Sequence, residues 1–326
     1  MQSLLIFLVG VLTLAAIYAA LAQVLNLVAG WAGMWDLGVA GLVGVAAYTY
    51  IILTQTRVDT GLWLTPGWPI AAGIIGSAVV TALAALVIAL PSIRLRGEYF
   101  LITTLAFAEV IHQLAISESW LTRGTTGFSS IDRPFRDLVP AAHYRWVLLG
   151  MAIAVALAIY LLMNRLAKTP YVRVLRASCD NEAVARSLGK NVVRYRIVTY
   201  VFAGALIGVI TPLYLWHVRS VVPSLFVSEL TFVVWTALVI GGIASRKGPL
   251  IGATLLIVCT ELLTFLQGSA EYAQLLAATR PVILGILLIV VLRFRPEGLM
   301  SERSAFRLSE RDLNPTGQHK KAVSVK

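Results

Sequence analysis

The chain has 326 residues, 58% of them hydrophobic and 13% charged, with a net charge of +11. A soluble domain carries about 25% charged residues, so a water-facing fold is excluded. Ten-residue strands alternating polar and apolar, the mark of a membrane barrel, are not seen, and Cys179 and Cys259, eighty residues apart, give neither a disulfide framework nor a metal site.

Nine apolar segments run in chain order: 4–28, 36–54, 68–90, 98–116, 144–163, 197–217, 222–243, 250–267 and 278–292. Against a hydrocarbon core of about 30 Å, their lengths predict an all-α polytopic membrane protein with about 8–10 transmembrane helices. One or two segments are short enough to be broken or re-entrant. Ala20-Leu21-Ala22 has the form of a leader-cleavage site, but no Lys or Arg precedes it, so a first helix that stays attached is expected. Residues 1–300 form the membrane domain and 301–326 a polar tail.

The charges orient these crossings. If the island at 164–196 is cytoplasmic, so are Arg94, Arg96, Arg246, Lys247 and the tail from Arg293, which places 20 of the 27 Lys and Arg on that side. Arg57, Arg123, Arg133, Arg136, Arg145, Arg219 and Arg280 remain outside. The opposite orientation inverts the ratio, so the island and the C-terminus are expected in the cytoplasm. The basic residues are divided among separate loops with no aromatic platform, which removes nucleic acid as a partner. The longest outside connection, residues 117–143, exceeds the usual loop length and carries the turn sequences "RGTTG" and "DRP".

Inside the island a short helix is predicted, with Asp180 as N-cap, Glu182 in its first turn and Gly189 as its stop. Glu182 and Arg186 stand four apart in the favourable order. Ala183, Val184, Ser187 and Leu188 form the opposite, small and apolar face. Chemistry alone allows two roles: a helix resting on anionic headgroups, or one that fits a groove on a soluble partner.

"NEAVARSLGKN" (181–191) resembles the cytoplasmic loop of ATP-binding-cassette importer permeases, in which a Glu-Ala-Ala signature followed by a Gly forms the coupling helix that docks on the ATPase subunit. Glu182, Ala185, Leu188 and Gly189 match; Val184 stands where one alanine is usual, and Ala183 completes the face. The wider chain is similar to the LivM-type permeases of branched-chain amino acid uptake. "LNLVAGWAG" (25–33), "DLGVAGLVGVAAY" (36–48), "RLRGEYFLITTLAFAEV" (94–110), "LTRGTTGF" (121–128), "GGIASRKGPLIGA" (241–253) and "RFRPEGL" (293–299) carry the likeness in order and spacing. Met34, Asp36 and Val39 depart from it, standing where that subfamily usually has Gln, Ser and His; an Asp-Leu pair there is more like the sister sugar permeases.

The resemblance implies a permease subunit in a bacterial inner membrane. Its partners would be two cytoplasmic ATPases, a second homologous permease and an external solute-binding protein. ATP would be used by the ATPases, with no cofactor bound to this chain. The implied cargo is a branched-chain or other small apolar amino acid, with urea, amides or a sugar as alternatives. A proton-coupled secondary transporter, using Glu109, His112 or Glu261 as relay, is the competing class.

Ionisable groups in lipid are costly, so Glu109, His112, Glu229 and Glu261 each need a reason. Glu109 and His112 share a helical face that either lines the solute path or joins packed helices. Gly30, Gly33, Gly38, Gly41 and Gly44 favour close helix packing. "AGWAGMWDLG" (29–38) also has the look of an interrupted helix, where transporters place binding groups. Asp36 is expected to cap the second segment. Gly30, Gly33, Asp36, Tyr48, Glu109, His112, Thr125 and Gly127 are therefore the solute-path candidates. Pro212 is expected to kink its helix and free a carbonyl that a neighbour must satisfy. HExxH, GxSxG and GxxxxGK[ST] are absent, so no enzyme chemistry is expected of this chain.

Overall fold

A computed structural model describes residues 2–55, 66–92, 97–129, 131–135, 140, 143–266 and scattered positions from 282 to 300. The elements are α1 (Gln2–Leu25), continued by a π-helical turn (Asn26–Trp31), α2 (Val39–Thr54), α3 (Ile70–Ser92), α4 (Gly97–Ser117) and the single turn α5 (Ser119–Thr122). After strand β1 (Phe128–Ser129) come α6 (Tyr144–Leu166), α7 (Pro170–Asp180), α8 (Glu182–Ser187) and α9 (Val192–Val218). Strand β2 (Ser220–Val221), α10 (Ser228–Gly241) and α11 (Gly248–Leu266) follow, with short 3-10 turns at Gly124–Thr126 and Pro223–Leu225. Among the described residues, six helices are long and apolar enough to cross a membrane, and α2 and the 248–262 stretch are shorter apolar helices. These eight coincide with eight of the nine apolar segments; the ninth, 278–292, lies largely outside the described residues.

The bundle has a centre and two flanks. α9 lies along α3, α2 packs on both, and α1 joins them to α6, α10 and α11. α4 sits on one flank against α2, α3 and α10, while α6 covers the other against α1 and α9. With no hydrophobic effect to drive association inside lipid, close approach has to come from small residues. Gly204 and Gly208, one turn apart on α9, meet Thr81, Ala82, Ala85, Ser77 and Ala78 of α3 at distances that leave no room for a Cβ. Gly252 on α11 likewise abuts the α10 backbone at Ala237 and Gly241.

Pro212 lies inside α9 and cannot donate to the Gly208 carbonyl one turn back. The Ser77 hydroxyl of α3 lies 3.1 Å from that carbonyl and 3.0 Å from the Ala46 carbonyl of α2. The freed acceptor is thus met from a neighbouring helix, at the point where α2, α3 and α9 converge.

At the end opposite α8, β1 pairs antiparallel with β2, Phe128 opposite Val221 and Ser129 opposite Ser220. Gly127 takes φ +60°, and its α-carbon lies so close to the Val221 carbonyl that no side chain fits. Glycine is required there by both criteria.

Candidate functional site

The charged island is two helices rather than one. Thr169 in extended conformation and Pro170 at the first helical position start α7. Val172, Leu175 and Ser178 form its buried stripe. Asp180 is consequently the last residue of α7 and not the cap of α8. That role falls to Asn181, whose extended backbone (φ −153°, ψ 102°) lets its side chain accept from the Val184 N–H at 3.2 Å. Gly189 adopts φ +73° after Leu188 and turns the chain towards α9, where Asn191 caps the new helix by accepting from Arg194 N–H.

α8 is clamped to the body on one side and bare on the other. Ala185 is buried, whereas Ala183, Val184, Ser187 and Leu188 face outward, Leu188 with 73% of its surface exposed. The Glu182 carboxylate accepts from Arg186 in the next turn and from Arg196 of α9 at 3.1 Å. Arg196 is only 16% exposed, so this pair is sheltered, while Arg186 is open to solvent. The Tyr171 hydroxyl donates to the Tyr195 carbonyl at 2.9 Å and lies 2.8 Å from Thr199 Oγ1, fastening α7 to α9 as well.

α7 also rests on the end of the first long helix. The Arg176 guanidinium stands 5.2 Å from the centre of the Trp31 ring, and Cys179 Sγ would lie 2.6 Å from any Cβ placed on Gly33. Partial burial and then the Asp180 charge raise the Cys179 thiol above its ordinary pKa, partly offset by Arg196. Gly33 takes φ +66°, a second reason for glycine. Asn26 in the π-helical turn pairs with the 242–247 turn, donating to the Ser245 carbonyl at 2.7 Å and accepting from Ala244 N–H at 2.8 Å. Gly30 packs against Ala244 beside it.

Residues 32–38 are irregular, and Asp36 stands at their centre with 2% exposure. Its Oδ1 accepts from Gly38 N–H at 2.7 Å and from the Tyr200 hydroxyl of α9 at 3.2 Å. Its backbone carbonyl accepts from the Trp235 indole of α10 at 2.6 Å, and Leu37 N–H donates to Thr104 of α4 at 3.0 Å. Asp36 therefore closes a turn two residues ahead instead of capping α2, whose N-cap is Gly38. Asp36 and the adjoining Leu37 N–H knot together the three helices that meet here: α4, α9 and α10. Trp35 stacks on Trp235 at 5.6 Å, and Phe100 meets Tyr200 edge-on at 5.6 Å.

The remaining path candidates fall in two other places. Glu109 and His112 lie 3.4 Å apart on α4, with Glu109 63% exposed on the face away from the bundle. Tyr48 of α2 sits at the β1–β2 end, edge-on to Phe128 and Phe226, beside Gly127 and close to the exposed Thr125 loop. Gly30, Gly33 and Asp36 thus belong to one segment near α7, and the other two groups are separate from it. Tyr200, Trp235 and Thr104 carry no signal in the sequence, being ordinary residues of apolar helices whose partners lie far away in the chain. Arg196 reads in sequence only as part of a basic cluster with Arg194, without its partner Glu182; Asn26 carries a signal, as an amide inside a greasy run.

Residues 7–292 match the family described as "Branched-chain amino acid transport system / permease component". The chain is 28% identical over 315 residues to the high-affinity branched-chain amino acid transport system permease protein LivM of Escherichia coli, covering 90% of this chain and 69% of that one. It is 27% identical to the Salmonella typhimurium protein of the same name over the same shares. A probable branched-chain amino acid transport permease protein LivH from Methanocaldococcus jannaschii is 27% identical over 60% of this chain and 58% of its own. No solved structure matches. A match over residues 7–292, on an all-helical bundle whose long helices are apolar, identifies the chain as a member of the branched-chain amino acid transport permease family.

Proposed function

We propose that the chain is the membrane-spanning half of an ATP-driven importer for branched-chain or other small apolar amino acids. In this reading it pairs with a second homologous permease, takes solute from an external binding protein, and is driven by two cytoplasmic ATPases. The observation that carries it is α8: a short helix whose apolar Val184 and Leu188 are bare while its Glu182 is fastened to α9. An exposed apolar face beside a rigid anchor is the form of a docking element.

The geometry supplies a route for the push. A displaced α8 pulls on α9 through Glu182 and Arg196, and α7 carries the motion to Trp31 and Gly33. Those residues lead directly into the irregular segment and the Asp36 knot. Hinge motions are absorbed by such non-helical positions, so α4, α9 and α10 would tilt about this point between outward and inward openings.

The face of α4 supports the second permease. Glu109 is the thirteenth of twenty-one residues in α4, close to mid-span, and its carboxylate would meet hydrocarbon unless another protein covered it. The likeness to both a LivM and a LivH permease is in keeping with a homologous partner on that face. Glu109 then borders a seam along which solute passes. Glu109→Gln is expected to lower solute flux about tenfold with unchanged protein in the membrane; wild-type flux would leave Glu109 with a packing role alone.

The test of the cargo is reconstitution in vesicles with the ATPases and binding protein of the same system. ATP-dependent uptake of leucine, with urea and ribose excluded, is the expected result. Uptake that needs no ATPase and collapses with the proton gradient would replace this reading by a secondary transporter.

A further inference from the structure

At the end of the bundle opposite α8, a cavity of about 320 Å³ opens between α1, the start of α6 and the end of α9. Its polar wall carries Arg133, Arg145, Arg219 and His217, with Glu261 as the carboxylate among its lining residues. Its other wall is hydrocarbon from α1: Ile6, Gly10 and Leu14. Three guanidinium groups against one carboxylate leave a net positive pocket with a greasy side.

A further observation points to a ligand. Tyr144 lines the cavity and is 5% exposed, yet among the described residues its hydroxyl has no hydrogen-bond partner. A buried hydroxyl left alone is costly, and native structures nearly always satisfy it. Arg219 follows directly on α9 and brings a second guanidinium to the same cavity. Arg133 lies over the Tyr144 ring at 5.1 Å and completes the cationic wall.

The depth is set by aromatic residues. Trp68, Trp120 and Trp146, all at this end of the bundle, are each about half exposed or more, in the manner of side chains at a membrane interface. Arg145 and Tyr144 are next to Trp146 in the chain, which puts the cationic wall at the level of lipid phosphates. α6 lies on the flank away from α4, so the cavity is separate from the Glu109 face.

We propose that this cavity holds the phosphate of an anionic phospholipid, clamped by Arg145, Arg219 and the Tyr144 hydroxyl, with an acyl chain along the Ile6–Leu14 side of α1. Arginine forks and a phenol suit a phosphate, and the apolar wall suits a lipid in preference to a free ion.

The full chain is purified in neutral detergent and offered phosphatidylglycerol, phosphatidylcholine or inorganic phosphate, and bound species are read by native mass spectrometry. Phosphatidylglycerol is expected to remain bound, to resist millimolar phosphate, and to fall at least tenfold in the Arg145→Gln/Arg219→Gln variant. Tyr144→Phe, which keeps charge and shape, should lower it about threefold, and this variant decides the matter if the double variant does not fold. Equal retention in the variants, or equal binding of phosphatidylcholine, would overturn the site. Displacement by inorganic phosphate would overturn the lipid as its occupant. The readout needs no transport, so its failure is distinct from failure of the importer reading.

Discussion

Glu182→Lys is expected to reduce ATP-driven uptake at least tenfold while leaving the chain in the membrane at its normal level. Among the described residues, Glu182 ties α8 to α9 by a side-chain ion pair, through Arg196 at 3.1 Å, and it also holds Arg186. A lysine sets three like charges together where one carboxylate now balances two guanidinium groups. The bundle itself does not depend on that pair, because α9 is packed along its length on α3 and α2. Force applied to Val184 and Leu188 would then turn α8 about its loose ends without moving α9. Gly189→Pro acts at the other end of the same lever: φ +73° is closed to proline, which is locked near −65°. Its effect should equal that of Glu182→Lys, and normal uptake in both would remove α8 as the coupling element.

The second large effect belongs to stability. Asp36→Leu should lower the thermal midpoint in detergent sharply, by a loss of about 2–4 kcal/mol, because it strands two donors at once. Gly38 N–H and the Tyr200 hydroxyl both end on Asp36 Oδ1, and the site is shut from solvent. Hydrogen bonds between membrane helices average only about 0.6 kcal/mol, so the cost comes from orphaned buried groups more than from bonds lost. Asp36→Asn keeps an acceptor oxygen of the same shape and should cost under about 1 kcal/mol. An unchanged midpoint for Asp36→Leu would contradict the knot. A stable but transport-dead Asp36→Asn would show that the charge itself, and not the anchoring, is what the segment requires.

The two sites differ in how far they could be read in advance. Helix positions followed from apolar run length, because a bilayer demands about twenty apolar residues whatever their packing partners. Gly189 was legible as a stop because a left-handed residue after a short helix is a local requirement. Pro212 announced a missing donor, though only the fold supplied Ser77 as the remedy. α7 is an addition to the sequence expectation, although Thr169-Pro170 is a helix start and Val172, Leu175 and Ser178 keep helical spacing. The shift of the α8 cap from Asp180 to Asn181 follows from that omission, since a residue finishing one helix is not free to begin the next.

What resisted reading was long-range. Arg196 finds Glu182 only because the turn at 188–191 reverses the chain, and Tyr200 and Trp235 reach Asp36 across 164 and 199 residues. The glycines illustrate the same limit. In sequence Gly30 and Gly33 suit a solute path by their place in an interrupted helix, but their bare α-carbons face Ala244 and Cys179. Close approach can be inferred from a glycine; the identity of what approaches cannot. The likeness to the permease family, by contrast, is carried by ordered local blocks that are complete within the sequence.

The docking of an ATPase on α8 is tested most directly by a single cysteine at Leu188, in a chain whose Cys179 and Cys259 have been replaced. In vesicles holding the ATPases of the same system, Leu188→Cys should cross-link to an ATPase subunit and be protected from maleimide, whereas a cysteine at the exposed Ser224 at the other end should be neither. Equal labelling of Leu188→Cys with and without the ATPases, in vesicles where uptake is still driven by ATP, would rule out α8 as the docking element.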